Sequence, residues 1–358
     1  MHHGTCSCSC SFAPPFPYYF LKLKKKKKNP TSLTGKSTPD IFGSGSTMAV
    51  LAVLLLLSVL NPVLSVFQKL YCSLADSCDC DFKPCIRDLE WDLYKNLYGQ
   101  HLAQDIVSEA VTSFLKKENP DRPLVLSFHG SSGTGKTLVS SMLGSHLYSE
   151  GMGSQYVHLF LPSIHFPLPD HVKEYQWALK SWVEGKLKEC AHSIFIFDEM
   201  ERMPLGVIDI LKPFLGPSHV VFRTNYRKAI YVFISTTGEA VINQLALKQQ
   251  QAGLGREEIR LEDLKEALVQ SVYNSSTSGF YHSDILQEEL ITRYVPFLPL
   301  TRRHVERCAR WQLCQLGMCH RTDVVEAVGG DMVYTPDEGQ YFSTIGCKAV
   351  STKITLFL

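Results

Sequence analysis

An excess of basic charge is missing from this sequence. Its 36 Lys and Arg residues nearly balance 35 Asp and Glu residues, which leaves a formal net charge of +1. The dense basic run from Lys24 to Lys28 is too short to form a nucleic-acid-sized surface, because such surfaces contact many phosphates at once. We therefore expect no DNA or RNA partner.

A hydrophobic run long enough to cross a bilayer is missing too. The apolar stretch at residues 50–60 has the length of the core of a secretory signal and falls short of the about 20 residues of a spanning helix. Two interpretations stay open. In the favoured one, Met48 starts the chain, residues 48–65 are a signal peptide, and residues 1–47 are a non-native or disordered extension. In the other, residues 1–47 are a cytosolic tail whose lysine run flanks a short membrane anchor.

A complete zinc-binding cysteine pattern is also lacking, because Cys78-Asp79-Cys80 has no second Cys or His pair at ligand spacing. Residues 72–347 nevertheless contain nine cysteines, and an oxidising secretory lumen explains so many. Residues 66–88 form a cysteine-rich lead-in, and Cys190 is a candidate partner for one of its cysteines. The sequon at Asn274 predicts N-glycosylation in the same compartment.

The hydrophobic pattern from residue 89 onward predicts strands that alternate with helices. Apolar runs typical of buried parallel strands lie at residues 124–128, 156–160, 193–197, 229–235 and 294–298. Helices are predicted at residues 136–148, 171–189, 205–214, 238–250 and 261–273, and the alternating end at 347–358 predicts a strand. Helical spacing also assigns four aromatic residues to apolar helix faces: Trp91, Tyr94, Trp177 and Trp182.

This order of elements favours an α/β fold in which helices flank a parallel five-stranded sheet. We expect a large domain over residues 89–300 and a small, mainly helical domain over residues 301–358.

Eight consecutive residues match the phosphate-binding pattern G-x-x-x-x-G-K-[ST] without a mismatch. They are Gly130, Ser131, Ser132, Gly133, Thr134, Gly135, Lys136 and Thr137. They follow a predicted strand and begin a predicted helix, as this pattern requires. The glycines let backbone N–H groups point at phosphate oxygens, and the helix N-terminus adds positive potential. We expect Lys136 to bind the β- and γ-phosphates of ATP and Thr137 to ligate Mg²⁺.

Further candidate residues follow other predicted strands. Asp198 and Glu199 end a strand at the sheet edge where ligands bind in open α/β sheets. We expect Asp198 to hold Mg²⁺, mainly through water, and Glu199 to orient and polarise the attacking water. Thr236 ends a strand that we expect between these two motifs, where it would contact the γ-phosphate or else cap the next helix. Lys348 is a candidate to reach the nucleotide from the small domain.

Seven segments together resemble the torsins, which are AAA+ ATPases of the endoplasmic reticulum lumen and nuclear envelope related to the Clp disaggregases. The segments are GQHLA (99–103), GTGK (133–136), HFP (165–167), SIFIFDEM (193–200), KPFL (212–215), PFLPL (296–300) and GCK (346–348). The similarity covers residues 70–358. It implies an AAA+ domain with a C-terminal lid domain.

The resemblance implies roles for the candidate residues. Lys136 and Thr137 would form Walker A, and Asp198 and Glu199 Walker B. Thr236 would be sensor 1 and Lys348 sensor 2. The resemblance also implies a disulfide between Cys308 and Cys347 that couples the redox state of the lumen to nucleotide binding.

The resemblance further implies a weak ATPase that membrane partners activate. These partners are the luminal domains of lamina-associated polypeptide 1 and its endoplasmic-reticulum relative, which supply an arginine finger. In this chain Leu290 stands where the finger of Clp proteins would be, and Arg293 leaves a displaced finger open. Torsins usually carry Asn or Ser at the position of Thr137 and Asn at the position of Thr236.

Three functions fit these observations. Glu199 favours an ATPase that remodels or chaperones protein or membrane partners. Leu290 and Thr236 leave open a non-hydrolysing, ATP-dependent binding module or scaffold. A small-molecule kinase fits the phosphate loop but not the acid pair or the lysine near the C-terminus. The resemblance implies assembly into rings or filaments, as a homo-oligomer or with the activator.

Overall fold

A parallel five-stranded sheet is the centre of the fold. The computed structural model describes residues 80–217 and 225–358, so the predicted signal peptide and most of the lead-in lie outside the described residues. The strands are β1 (Leu124–Gly130), β2 (Val157–Phe160), β3 (Ile194–Phe197), β4 (Ile230–Ser235) and β5 (Arg293–Phe297). Their order is β2-β3-β4-β1-β5, and every neighbouring pair is parallel. This order confirms the α/β fold and places β4 between β1 and β3.

Helices cover both faces of the sheet. Those of the sheet-containing part are α1 (Ile86–Asn96), α2 (His101–Leu115), α3 (Lys136–Leu147), α4 (Pro162–His165), α5 (Val172–Glu189), α6 (Lys212–Leu215), α7 (Glu239–Gln251), α8 (Lys265–Asn274) and α9 (Asp284–Gln287). Because side chains alternate along a strand, β3 sends Ile194 and Ile196 into the core beneath α1 to α3. Its Phe195 and Phe197 enter the core shared with α5, α7 and α8.

The C-terminal residues form a smaller helical core of their own. The elements are α10 (Arg302–Gln315), α11 (Thr322–Asp331), β6 (Tyr334–Thr335), β7 (Phe342–Ser343) and α12 (Val350–Phe357). The strand predicted at residues 347–358 is wrong, because this segment forms α12. Val350 and Ile354 are four residues apart and lie on one helical face, which packs against Val305 and Leu313.

Four aromatic residues assigned to apolar helix faces are exposed instead. The exposed fractions are 70% for Trp91, 58% for Tyr94, 73% for Trp177 and 52% for Trp182. The buried stripes follow the i, i+4, i+8 spacing of leucine and valine. In α1 and at the residue after it they are Leu89, Leu93 and Leu97, and in α5 they are Leu179, Val183 and Leu187. The prediction failed because a large apolar side chain next to such a stripe need not be buried.

Two predicted helices are shorter than expected. The segment 205–214 contains a 3₁₀ turn, Ile208–Leu211, before α6 begins at Lys212. Pro213 explains the break, because proline is tolerated in the first turn of a helix and not in its interior. The segment 261–273 likewise opens with a 3₁₀ turn, Leu261–Asp263, and becomes α8 at Lys265.

Among the described residues, no helix is both long and apolar enough to cross a membrane.

Disulfides connect distant parts of the chain. Cys80 pairs with Cys190, 110 residues away, so the lead-in is joined to the end of α5. Cys308 pairs with Cys347, the pair that the resemblance implies. A third disulfide, Cys314–Cys319, closes the turn between α10 and α11 and was not expected from the sequence.

Candidate nucleotide-binding site

The phosphate-binding loop connects the end of β1 to the start of α3. Gly130, Gly133 and Gly135 have φ angles of +147°, +71° and +111°, which L-amino acids with side chains rarely adopt. A Cβ atom on Gly130 would lie 2.3 Å from the carbonyl oxygen of Phe297 at the end of β5. The backbone curl that presents N–H groups to phosphate therefore depends on these glycines.

Lys136 is buried inside this loop. Its Nζ donates to the carbonyl oxygens of Gly130 (2.5 Å) and Ser131 (2.8 Å). Burial lowers the pKa of Lys136 to about 8, while the carboxylates of Glu201 and Asp198 act in the opposite direction. Because a buried ammonium group gains most from a negatively charged partner, this position fits a phosphate.

A hydrogen bond between Thr137 and Asp198 joins the phosphate-binding loop to the acid pair. The Thr137 hydroxyl donates to Oδ2 of Asp198 over 2.8 Å, and Oδ1 accepts the N–H of Glu199 over 2.8 Å. Burial raises the pKa of Asp198 although both hydrogen bonds and Lys136 lower it. A hydroxyl and a carboxylate are the hard oxygen ligands that Mg²⁺ takes together with phosphates and water. These residues therefore fit a Mg–nucleotide ligand.

Glu199 lies at the same sheet edge in a left-handed backbone conformation, with φ of +56°. Its Oε2 accepts a hydrogen bond from the hydroxyl of Ser163 over 3.1 Å, and Nη1 of Arg202 lies 3.6 Å away. Ser163 belongs to α4, which follows β2. Ser163 was not predicted from the sequence. The pattern that could have indicated it is a hydroxyl residue shortly after β2, the strand that pairs with β3.

Thr236 follows β4 at the level of the phosphate loop. The register pairs His129 of β1 with Ser235 of β4, so Thr236 is level with Gly130. Its backbone N–H donates to Oε2 of Glu201 over 3.2 Å. Glu201 was also missed, although it lies two residues after Glu199.

A buried histidine joins β1 to the turn after β4. Nδ1 of His129 lies 2.9 Å from the carbonyl oxygen of Thr237, so Nδ1 carries the proton and donates. Nε2 then accepts from the hydroxyl of Ser127 over 2.7 Å. Burial lowers the pKa of His129 to about 4, so the ring is neutral at pH 7. In the phosphate loop itself, Nδ2 of Asn243 donates to the Ser131 hydroxyl over 2.9 Å.

The helical C-terminal region contacts the phosphate loop directly. The N–H of Cys347 donates to the carbonyl of Gly133 over 2.9 Å. The adjacent Lys348 is exposed, and its charge adds to the effect of burial in lowering the pKa of Lys136. The structure thus brings Lys348 near the loop that was predicted to bind phosphate.

Other sequence-predicted positions lie away from this edge. Leu290 is buried, and its carbonyl accepts a hydrogen bond from Nη2 of Arg122 over 2.5 Å. Arg293 is exposed at the start of β5. Asn274 is exposed at the last residue of α8, where a glycan would have access to solvent.

Comparison with known proteins identifies two family models. The model described as Torsin matches residues 72–197, and the one described as Torsin-1A, C-terminal domain matches residues 300–357. Among solved structures, the Hsp104–ADP complex of S. cerevisiae matches with a TM-score of 0.54 and 18% identity. A closed-state reconstruction of Hsp104 with ATPγS and FITC casein matches with a TM-score of 0.51 and 16% identity.

Each Hsp104 match covers 76% of this chain and 46% of the Hsp104 chain, so this chain spans about half the length of those proteins. At this identity the structural likeness shows the fold, which is that of the AAA+ proteins.

Proposed function

The chain belongs to the torsin family of AAA+ ATPases, and we propose that it hydrolyses ATP weakly and couples hydrolysis to remodelling or chaperoning of protein or membrane partners. The observation that carries this proposal is the 2.8 Å hydrogen bond between Thr137 and Asp198. It joins the phosphate loop to the acid pair at one edge of the sheet. Glu199 follows directly in the chain, so a candidate base for hydrolysis lies at the same edge.

Each residue of this edge has a distinct task in the proposed reaction. Lys136 and the loop N–H groups bind phosphate oxygens, and Thr137 and Asp198 hold Mg²⁺. ATP supplies the phosphoanhydride bond, and Mg²⁺ neutralises charge on the phosphates. Glu199 orients water and accepts its proton, and the hydrogen bond from Ser163 fixes its carboxylate. We assign Thr236 and Lys348 to contacts with the γ-phosphate.

The residue at position 290 supports the proposal of an external activator. This residue is buried and apolar, so it cannot act as the arginine finger that stabilises the charge of the transition state. We propose that the luminal domain of a membrane protein of the lamina-associated polypeptide 1 type supplies that arginine. We also propose that the protein works in the lumen of the endoplasmic reticulum or nuclear envelope. There it would be N-glycosylated at Asn274 and would assemble into homo- or hetero-oligomers. We also propose that within the family the chain resembles torsin-2A, on residues 224–230 and the LFL segment at 356–358; residue 224 lies outside the described residues.

The test is ATP turnover of the wild type and of Glu199→Gln, measured as phosphate release with and without the luminal activator domain. We expect turnover in the presence of activator, its loss in Glu199→Gln, and longer-lived partner complexes of that variant with ATP. Lys136→Ala serves as the control that loses nucleotide binding. If Glu199→Gln changes neither turnover nor the lifetime of the partner complex, hydrolysis is not the function of this site.

A non-hydrolysing, ATP-dependent binding module is the second candidate. The apolar, buried Leu290 favours it, because without an external arginine the site would bind ATP and change shape while hydrolysing little. The same measurement separates the two functions. A binding module forms ATP-dependent partner complexes whose lifetime is the same in the wild type and in Glu199→Gln.

A further inference from the structure

A third carboxylate lies beside the acid pair and has no task in the proposed reaction. Glu201 belongs to the 3₁₀ turn Met200–Arg202, directly after Glu199. Its Oε2 accepts two hydrogen bonds, from the hydroxyl of Ser235 and from the backbone N–H of Thr236, each over 3.2 Å. These bonds connect the turn after β3 to the end of β4. Ser235 and Thr236 are 34 and 35 residues from Glu201 in the chain.

Other hydrogen bonds also act on the turn that Glu201 holds: Nδ1 of His129 donates to the carbonyl of Thr237 over 2.9 Å, and the N–H of Glu239 donates to the carbonyl of Thr236 over 3.1 Å. β4 ends at Ser235, and α7 begins at Glu239 after Gly238, whose φ is +90°. Between them, the N–H of Thr237 donates to the Ser235 hydroxyl over 3.0 Å. Of the groups around this turn, Glu201 is the one that binds the N–H of Thr236.

Two other tasks for Glu201 fit the contacts less well. Asp198 is the carboxylate that bonds Thr137, so it is better placed than Glu201 to hold Mg²⁺. Oε2 of Glu201 already accepts two hydrogen bonds from the end of β4, whereas Glu199 is the acid bonded to Ser163. Glu201 also acts on Lys136, since its charge opposes the lowering of the lysine pKa by burial. Its carboxylate thus faces the nucleotide site without taking the place of either acid.

We propose that Glu201 is a positioning residue that holds Thr236 at the end of β4 for recognition of the γ-phosphate, an inference that rests on the proposed nucleotide-binding function. Glu201 acts through hydrogen bonds to the β4 end and does not touch the nucleotide. The effect of these hydrogen bonds is therefore confined to ligands that carry a γ-phosphate. For ADP, which lacks that group, we expect only the effect that the charge of Glu201 has on Lys136, and Glu201→Gln removes that charge while it keeps an acceptor oxygen.

A double-mutant cycle tests this inference, with the dissociation constants of a non-hydrolysable ATP analogue and of ADP measured by calorimetry in the presence of Mg²⁺. We expect Glu201→Ala and Thr236→Val each to reduce the preference for the analogue over ADP on the order of tenfold. The double variant is expected to match the single variants, because Glu201→Ala misplaces and Thr236→Val removes the same hydroxyl that would contact the γ-phosphate. Glu201→Gln, which keeps an acceptor oxygen, is expected to retain most of the preference.

Controls separate positioning from general damage to the fold. Glu262→Ala removes an exposed carboxylate elsewhere and is expected to leave both constants unchanged, and Glu201→Asp replaces Glu201→Ala where the latter does not fold. Three outcomes would each overturn the inference. The first is additive effects in the double variant, the second is an equal loss of affinity for ADP and for the analogue, and the third is a wild type that does not prefer the analogue. Failure of the proposed hydrolysis gives a different result, namely an intact preference without phosphate release.

Discussion

The backbone N–H of Cys347 donates a hydrogen bond to the carbonyl of Gly133 over 2.9 Å. The phosphate loop and the C-terminal segment therefore contact each other through their backbones. A Cβ atom on Gly133 would lie 2.1 Å from the carbonyl oxygen of Ile345 and 2.8 Å from the nitrogen of Lys348. Any change in this segment is expected to affect the loop that binds phosphate.

Gly133→Ala is expected to abolish nucleotide binding. The left-handed backbone costs roughly 1–2 kcal/mol with a side chain, and the overlap with residues 345–348 adds to it. Gly153→Ala is the matched control, because a Cβ atom there meets nothing within 4 Å. Calorimetric titration with ATP and a thermal unfolding curve check both variants. Tight ATP binding by Gly133→Ala would contradict the close approach of the two segments.

Loss of the Cys308–Cys347 disulfide is expected to weaken nucleotide binding. Because Cys347 donates to Gly133, the disulfide fixes one side of the loop contact, and its 39-residue separation suggests a stability contribution of about 4 kcal/mol. The double variant Cys308→Ser and Cys347→Ser tests this by ATP titration and denaturant unfolding.

Removal of Cys314–Cys319 by two serines is the comparison for that variant. This disulfide joins residues 5 apart, so we expect a smaller cost of about 2 kcal/mol and unchanged ATP affinity. Peptide mapping without reductant should first recover Cys80–Cys190, Cys308–Cys347 and Cys314–Cys319 as linked pairs. Equal loss of ATP affinity in both double variants would rule out a specific effect of Cys347.

Acid is expected to destabilise the fold through His129. In the unfolded chain this imidazole takes up a proton near pH 6.5, whereas burial lowers its pKa to about 4 in the folded state. Stability from the neutral ring is thus complete above pH 6.5 and is lost as the pH falls towards 4, by about 3 kcal/mol in total. Urea unfolding between pH 4.5 and 7.5 measures this decrease. His129→Gln should show a shallower decrease, and equal pH slopes would argue against a neutral buried ring.

Local patterns in the sequence were sufficient for the fold and for the main motifs. The phosphate loop and the acid pair each lie within a few consecutive residues, and the alternation of strands and helices implies a parallel sheet. The contact of Ser163 with Glu199 and that of Glu201 with Thr236 join segments more than 30 residues apart, so no local pattern announces them. Trp177 and Trp182 were predicted to be buried and are exposed. Hydrophobicity shows that burial of a side chain is favourable, but the packing of the neighbouring elements decides which side chains are buried.

Arg256 connects the loop before α2 to the segment between β5 and α10, and we expect Arg256→Lys to loosen this connection. Its Nε donates to the carbonyl of Gly99 over 2.8 Å and its Nη1 to that of Pro299 over 2.6 Å. Burial lowers the pKa of Arg256 to about 10, so the guanidinium stays charged at neutral pH. Lysine carries one compact ammonium group instead of a planar fork and cannot reproduce both bonds in this geometry.

The expected cost of Arg256→Lys is about 1–3 kcal/mol, since a buried carbonyl loses a charged donor. Amide hydrogen exchange in residues 298–305 should become faster, because these residues connect β5 to α10. Arg260→Lys, at an exposed position four residues further on, is the matched control and should change neither stability nor exchange. Faster exchange spread evenly over the sheet would indicate general destabilisation. Faster exchange confined to residues 298–305 would show that Arg256 acts on the segment that connects β5 to α10.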